Sequence, residues 1–320
     1  MLQSKRFLYI LIMMVGVLCL CVGCNSARKE EQLQLREQGI NYLENGQYEK
    51  AIEVFQEALD ASLGEIGETE LDICFYKAEA QYLLGDTEAA MDTYTAIIEY
   101  NDSPKAYYLR GNLYYSMEEE LAAMKDYEAA IKYEKKDYDL YIGIYESLVA
   151  HDKVPEGVTY LNQALDIKGE EAYDNMKKGW IQYLLGNNEE ALDLLEKAAE
   201  GEEEEAYYYL VEVNLAMNDI EAAQDNMEAY IASGIADSYR LYHIAEAQLS
   251  KGNYDMSISC LEAALELKQV PNRQAVMRTL VIAYEKINDF VAARDVLTDY
   301  VKLYPEDEEA KDELTFLETR

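Results

Sequence analysis

Eight times between residues 51 and 300 the chain sets down a small residue, a larger side chain four positions on, and a further apolar or small residue three beyond that. The first copies are Ala51/Phe55/Ala58, Ala90/Tyr94/Ile97, Ala123/Tyr127/Ala130 and Gly157/Leu161/Ala164. The later ones are Ala191/Leu195/Ala198, Ala223/Met227/Tyr230, Ser257/Leu261/Ala264 and Ala293/Leu297/Tyr300. Successive copies begin 39, 33, 34, 34, 32, 34 and 36 residues apart. Steps of four and three return to one side of an α-helix, so each triplet predicts a helix with one buried stripe. The spacing leaves room for a second helix before each triplet, joined to it by a turn. The turn signals are Asn45-Gly46-Gln47-Tyr48, Gly85-Asp86, Gly186-Asn187, Asn218-Asp219, Gly252-Asn253-Tyr254 and Asn288-Asp289-Phe290. In each, Gly or Asn takes the left-handed conformation that ends one helix, and the polar residue after it can cap the next. The third and fourth copies have Met117-Glu118 and Lys153-Val154-Pro155 there instead, so their hairpins lack this signal.

A single helical hairpin cannot bury its apolar face alone, whereas stacked hairpins bury a continuous core and need a cap at the free end. Half of the 320 residues are apolar and only 4 are Pro, which permits nearly continuous helix. The fold class expected is therefore all-α. Residues 306–320 are the expected cap. Pro305 would start that helix, Glu306, Asp307, Glu308 and Glu309 suit its positive end, and Ala310, Leu314 and Leu317 form its apolar stripe. The longest spacing holds an inserted loop between Gly64 and Gly67.

In the first copy Gly39, Tyr42, Gly46, Tyr48, Ala51, Phe55 and Ala58 fall on the pattern of the tetratricopeptide (TPR) repeat, a helix-turn-helix unit of about 34 residues that the chain resembles. Gly111 with Tyr114, and Ala283-Tyr284, repeat parts of it, and Pro104, Pro271 and Pro305 punctuate repeat ends. The resemblance implies an α-solenoid of about eight TPR repeats over 33–305 with a capping helix over 306–320. In that family the first helix of each pair lines a concave groove. Carried over, the groove side chains are Phe75, Tyr76, Tyr82, Tyr108, Tyr115, Tyr173, Trp180, Tyr183, Tyr208, Tyr209, Tyr239 and Tyr242. Aromatics with a polar tip offer contact area and a hydrogen bond at low entropic cost, which suits a binding surface. TPR grooves that grip acidic peptide termini use paired Lys, Asn and Arg. Lys105 and Asn112 are present, but Leu109 stands where a base would help, so that mode is not expected.

The N-terminus reads as an address. Lys5 and Arg6 precede an uncharged apolar run from Phe7 to Leu20, and Val22-Gly23-Cys24 ends it. This layout resembles a bacterial lipoprotein signal peptide over residues 1–23, with Cys24 lipidated and 24–32 as a tether, although Cys21 stands where Leu is usual. The apolar stretch is shorter than the ~20 residues of a spanning helix. An uncleaved anchor is the alternative, and both readings place the body outside the cytoplasm at a bacterial cell membrane. After cleavage Cys24, Cys74 and Cys260 remain; the last two read as buried free thiols.

Little catalytic chemistry is visible. His151 and His243 are the only histidines, and there is no Gly-rich phosphate loop, HExxH or CxxC motif. The acidic runs at 118–120 and 202–205 lack the alternation of a calcium loop and read as solvated helix ends. No cofactor or metal is expected. The formal charge of −35 disfavours nucleic acid and anionic lipid headgroups as partners and favours protein segments that are basic or apolar. The expected function is a membrane-anchored, non-enzymatic scaffold for protein–protein interactions in an envelope assembly. A glycan or cell-wall polymer module, or an accessory subunit of an envelope enzyme, are the alternatives.

Overall fold

The computed structural model describes residues 28–319 apart from residues 63 and 65. The signal peptide and the lipidated Cys24 expected from the sequence lie outside the described residues. Every regular element among the described residues is helical, and the chain divides into two units, through Tyr160 and from Leu161 onward. The first unit pairs α1 (28–44) with α2 (Tyr48–Ala61), α3 (Glu68–Leu84) with α4 (Thr87–Asn101), and α5 (Pro104–Ser116) with α6 (Glu120–Tyr133). It continues into α7 (Tyr138–Ala150), and α8 (Val154–Leu165) crosses the division. The second unit pairs α9 (Ala172–Leu184) with α10 (Asn188–Glu200), α11 (Ala206–Ala216) with α12 (Ile220–Ser233), and α13 (Ser238–Lys251) with α14 (Tyr254–Glu266). It ends with α15 (Arg273–Lys286), α16 (Phe290–Leu303) and α17 (Glu308–Leu317). Within each unit hairpin partners such as α3 and α4 pack together, and α2, α4, α6, α10 and α14 also pack on the first helix of the next pair, whereas α12 packs on α14.

All eight triplets lie on second helices and are buried. Phe55, Leu161, Leu195, Leu261 and Leu297 are wholly shielded, each contributing about 1.5–3 kcal/mol of burial. The first helices meet them with glycine: a Cβ on Gly39 would lie 2.4 Å from the Phe55 ring, and one on Gly111 2.6 Å from the Tyr127 ring. Gly179 faces Leu195 in the same way, at 2.7 Å. Large on one helix and absent on the other is what lets the two axes close up.

The turns form where expected, with Gly46, Gly85, Gly186, Asn218, Gly252 and Asn288 at positive φ. The two hairpins without that signal close in the same geometry. Glu118 and Asp152 take φ of 63° and 60°, and the N–H groups of Glu119 and Lys153 donate to the carbonyls of Tyr114 and Leu148, both at 2.8 Å. The counterpart at a glycine turn is Asp86 N–H to Gln81 at 2.9 Å.

Arginine–carboxylate pairs one repeat apart join successive hairpins. Arg36 binds Asp72 at 2.5 Å, Arg278 binds Glu313 at 2.5 Å, and Arg240 binds Glu205. The most enclosed pair lies inside a hairpin: Arg110 grips Asp126 with two bonds of 2.7 and 2.9 Å, and reaches Thr95 of the preceding helix at 3.0 Å. The terminal helix differs from expectation at its start. Asp307, not Pro305, caps it, accepting from Ala310 N–H at 3.0 Å, while Pro305 lies in the preceding turn. Ala310 and Leu317 are buried against Leu297 and Tyr300, closing that end of the core. Cys260 is a buried free thiol as expected, whereas Cys74 is only half-buried.

Candidate functional site

In the first unit, helices α3, α5 and α7 line a cleft of about 620 Å³. Four of the expected groove aromatics meet there: Phe75, Tyr76 and Tyr82 from α3 and Tyr108 from α5. Phe75 and Tyr76 are half-buried, with Tyr94 tilted beneath Phe75 at 6.3 Å and Phe55 stacked on Tyr76 at 5.9 Å. Tyr82 is 44% exposed at the lip. Gly143 of α7 makes room for Tyr108, whose hydroxyl oxygen would lie 2.9 Å from a Cβ at that position. Below the cleft, the Tyr127 hydroxyl donates to Asn112 Oδ1 at 2.7 Å and lies 2.8 Å from Ser147 Oγ.

The charge of the cleft is mixed but mainly acidic. Asp72, Glu79 and Glu146 line it beside Lys105, whose ammonium lies 4.5 Å over the Phe75 ring. Burial, and to a lesser extent Asp139, raises the Glu146 carboxyl above the ordinary carboxylate range. Burial likewise pushes the Tyr94 hydroxyl up to about 12. Tyr115 does not reach the groove, contrary to the sequence reading. It is buried, its hydroxyl donates to Met124 at 3.4 Å, and its ring sits between Tyr127 at 5.8 Å and His151 at 4.8 Å. The side chain of His151, just past the end of α7, covers it.

In the second unit a ring cluster runs from α9 to α11. Trp180 lies 4.8 Å from Tyr183 and 4.7 Å from Tyr209, Tyr209 lies 5.2 Å from Tyr208, and Tyr208 lies 5.9 Å from Tyr230 of α12. Trp180, Tyr183 and Tyr208 are half-buried. Tyr209 is a correction to the expected groove set: it is buried with Met176, Leu195 and Leu210, because the core between α9, α10 and α11 takes that side of α11. Tyr173 and Tyr239 are 45% and 58% exposed. Tyr242 is half-buried, with its hydroxyl donating to Glu246 at 2.8 Å and accepting from Thr279 at 3.3 Å.

Sequence reading missed the carboxylates among these rings. Glu79 follows Phe75, Glu212 follows Tyr208, and Glu246 follows Tyr242, each by four residues. One helical turn puts ring and acid on the same face, so this spacing was the available signal. Glu212 is the most enclosed, its side chain only 15% exposed. Burial raises its carboxyl above the ordinary range, partly opposed by His243 and Lys251. Beyond the effect of burial, its charge helps raise the hydroxyls of Tyr183 and Tyr208. A separate apolar cleft of about 460 Å³ lies between α2 and α4, lined by Leu59, Leu71, Cys74, Ile97 and Tyr100. Among the described residues no group of His, Cys, Asp and Glu is placed to hold a metal ion.

Models of the tetratricopeptide repeat match residues 36–106, 104–137 and 239–271. No curated protein matches the chain. Among solved structures, it is similar to a tetratricopeptide repeat protein from Parabacteroides merdae, at 12% identity, covering 79% of this chain and 99% of that one with a TM-score of 0.46. It is also similar to a chain of the APC/C hetero-tetramer Cut9–Hcn1, at 17% identity, covering 83% of this chain and 53% of that one with a TM-score of 0.41. The C-terminal part of a TPR repeat-containing protein from Cytophaga hutchinsonii matches at 16% identity, covering 87% and 98% of the two chains with a TM-score of 0.38. The repeat models fall on helical hairpins that carry the buried triplets and left-handed turns described above, so residues 36–137 and 239–271 match tetratricopeptide repeats.

Proposed function

We propose that this protein is a non-catalytic scaffold, tethered by a lipid on Cys24 to the outer face of a bacterial cell membrane, that holds partner proteins of an envelope assembly on the aromatic faces of its first helices. The observation that carries the binding role is the cleft of the first unit, where Phe75, Tyr76, Tyr82 and Tyr108 converge beside Glu79 and Glu146. Half-buried rings anchored from below present area without having to be ordered on binding, which is where hot-spot energy comes from. The acidic lining and the charge of −35 favour basic or apolar partner segments and speed their approach. The tether rests on the basic, apolar and Gly-Cys progression of residues 5–24.

Two measurements test the two halves. Tagged protein with Phe75→Ala and Tyr82→Ala, checked for helicity by circular dichroism, should lose its co-purifying partners from membrane extracts, at ~2 kcal/mol or more per anchor. Wild-type recovery of partners by the folded double variant would remove the cleft from the proposal. Cys24→Ser should abolish incorporation of labelled fatty acid and leave the precursor uncut, and labelling that persists in that variant would refute the tether.

A further inference from the structure

Glu212 of α11 occupies an unusual position for a carboxylate. Its side chain is 15% exposed, and its Oε1 is buried with no hydrogen-bond partner. His243 Nδ1 on α13 lies 3.8 Å from it, within ion-pair range when the imidazole is protonated but too far for a hydrogen bond. The neighbouring arginine is already engaged: Arg240 binds Glu205 and lies 4.6 Å over the Tyr208 ring. Lys251 acts on Glu212 only through its charge. A buried carboxylate oxygen without a hydrogen-bond partner is costly, and a cation supplied from outside that bonds to it recovers that cost. The surroundings suit a cation as well. Tyr183 lies within the field of Glu212 and Tyr208 precedes it by one turn of the same helix, and the guanidinium of Arg240 already over the Tyr208 ring shows the kind of cation these rings take. The imidazole beside the carboxylate is 72% exposed, so it is the group an incoming side chain would push aside.

We propose that Glu212, with Tyr183 and Tyr208 beside it, is the receptor for a lysine or arginine side chain of the bound partner segment. This rests on the reading that the first-helix aromatic faces bind partners, and adds to it the residue type selected on the second unit. The rings supply affinity for the segment, and the carboxylate selects the base within it.

The chain's single tryptophan, Trp180, stacks on Tyr183 and reports on this face by fluorescence. The probes are two pools of eight-residue peptides without Trp or Tyr, neutral and apolar at the flanks, one with a central Lys and the other with norleucine there. Titrated into the full chain, the Lys pool should bind about tenfold more tightly, the gain from one charge-assisted bond. Glu212→Gln should bring the ratio near one and leave the norleucine pool unchanged. Glu228→Gln removes an equal charge from an exposed position on α12 and should keep the ratio, which separates the site from the general acidity of the chain. Equal binding of the two pools by the wild type, or a ratio that survives Glu212→Gln, overturns the assignment and leaves the aromatic face standing. Absence of a Trp180 response to either pool overturns both.

Discussion

Single residues differ here in what covers them. Tyr108 and Tyr115 are seven positions apart on one helix and read alike in sequence, yet one borders a cleft and the other is buried under His151. Glu212 and Glu246 each follow a tyrosine by one turn, but Glu246 accepts a bond from Tyr242 while the buried Oε1 of Glu212 has no partner. That difference has a consequence for stability. A carboxyl whose folded pKa lies above its unfolded one favours the fold in its protonated form. Its favourable contribution is complete below the unfolded value of about 4.3 and is lost as pH rises through the folded value. Glu212 is such a group, raised first by burial. Glu212→Gln should therefore stabilise the protein at pH 7, by about 1 kcal/mol, and the advantage should vanish toward pH 4. Urea unfolding at the two pH values measures this. An equal effect at both would mean that the carboxylate carries no burial cost.

At the scale of the element, the hairpin depends on two local devices, the facing glycine and the left-handed turn. Glycine supplies that turn at φ 93° for Gly85 and 84° for Gly252, but Glu118 must adopt 63° with a Cβ. The strain of a left-handed L-residue is about 1–2 kcal/mol, against which glycine adds unfolded-state entropy. Glu118→Gly should thus raise the stability of the protein by about 0.5–1 kcal/mol, and Glu118→Val should lower it by a similar amount or more. A denaturation midpoint that falls on Glu118→Gly would show that the glutamate side chain contributes more than its backbone costs. The α5–α6 hairpin forms without the sequence signal because Glu118 itself adopts the left-handed turn, held there by the packing on either side of it. Tyr127 fills the space opposite Gly111, and Arg110 holds Asp126.

At the scale of the whole molecule, stability is distributed among neighbours. In each unit the helices pack on those adjacent in the chain, and the inter-repeat ion pairs join residues 35 or 36 positions apart. Such arrays lose stability next to the damage. Deleting 308–320 removes the cover of Leu297 and Tyr300 and the Glu313 partner of Arg278. Amide exchange should then accelerate in α15 and α16 and stay unchanged in α1 to α4. Uniform loss of protection would show one cooperative body in place of a neighbour-coupled array. The high acid content acts at this scale too, since carboxylates dispersed over the whole surface favour solubility without singling out any partner, which is why the proposed selection of a base is sought at one enclosed carboxylate.

The repeat was legible because its information is local. A triplet such as Ala191/Leu195/Ala198 and a turn such as Gly186-Asn187 lie within a few residues of one another, so helix, turn, buried stripe and register follow from spacing alone. The sequence placed aromatic rings on the first helices, and Phe75, Tyr76, Tyr82, Tyr108, Trp180, Tyr183 and Tyr208 are partly or largely open there; their role in binding is what the variants above test. Which members are closed off was decided by residues distant in sequence: Met124, Tyr127 and His151 for Tyr115, and Met176 and Leu195 for Tyr209. The same holds for charge. Spacing placed Glu212 beside Tyr208, but only the fold engaged Arg240 with Glu205 and left His243 at 3.8 Å. Burial and pairing depend on what arrives from another helix; period and turn do not.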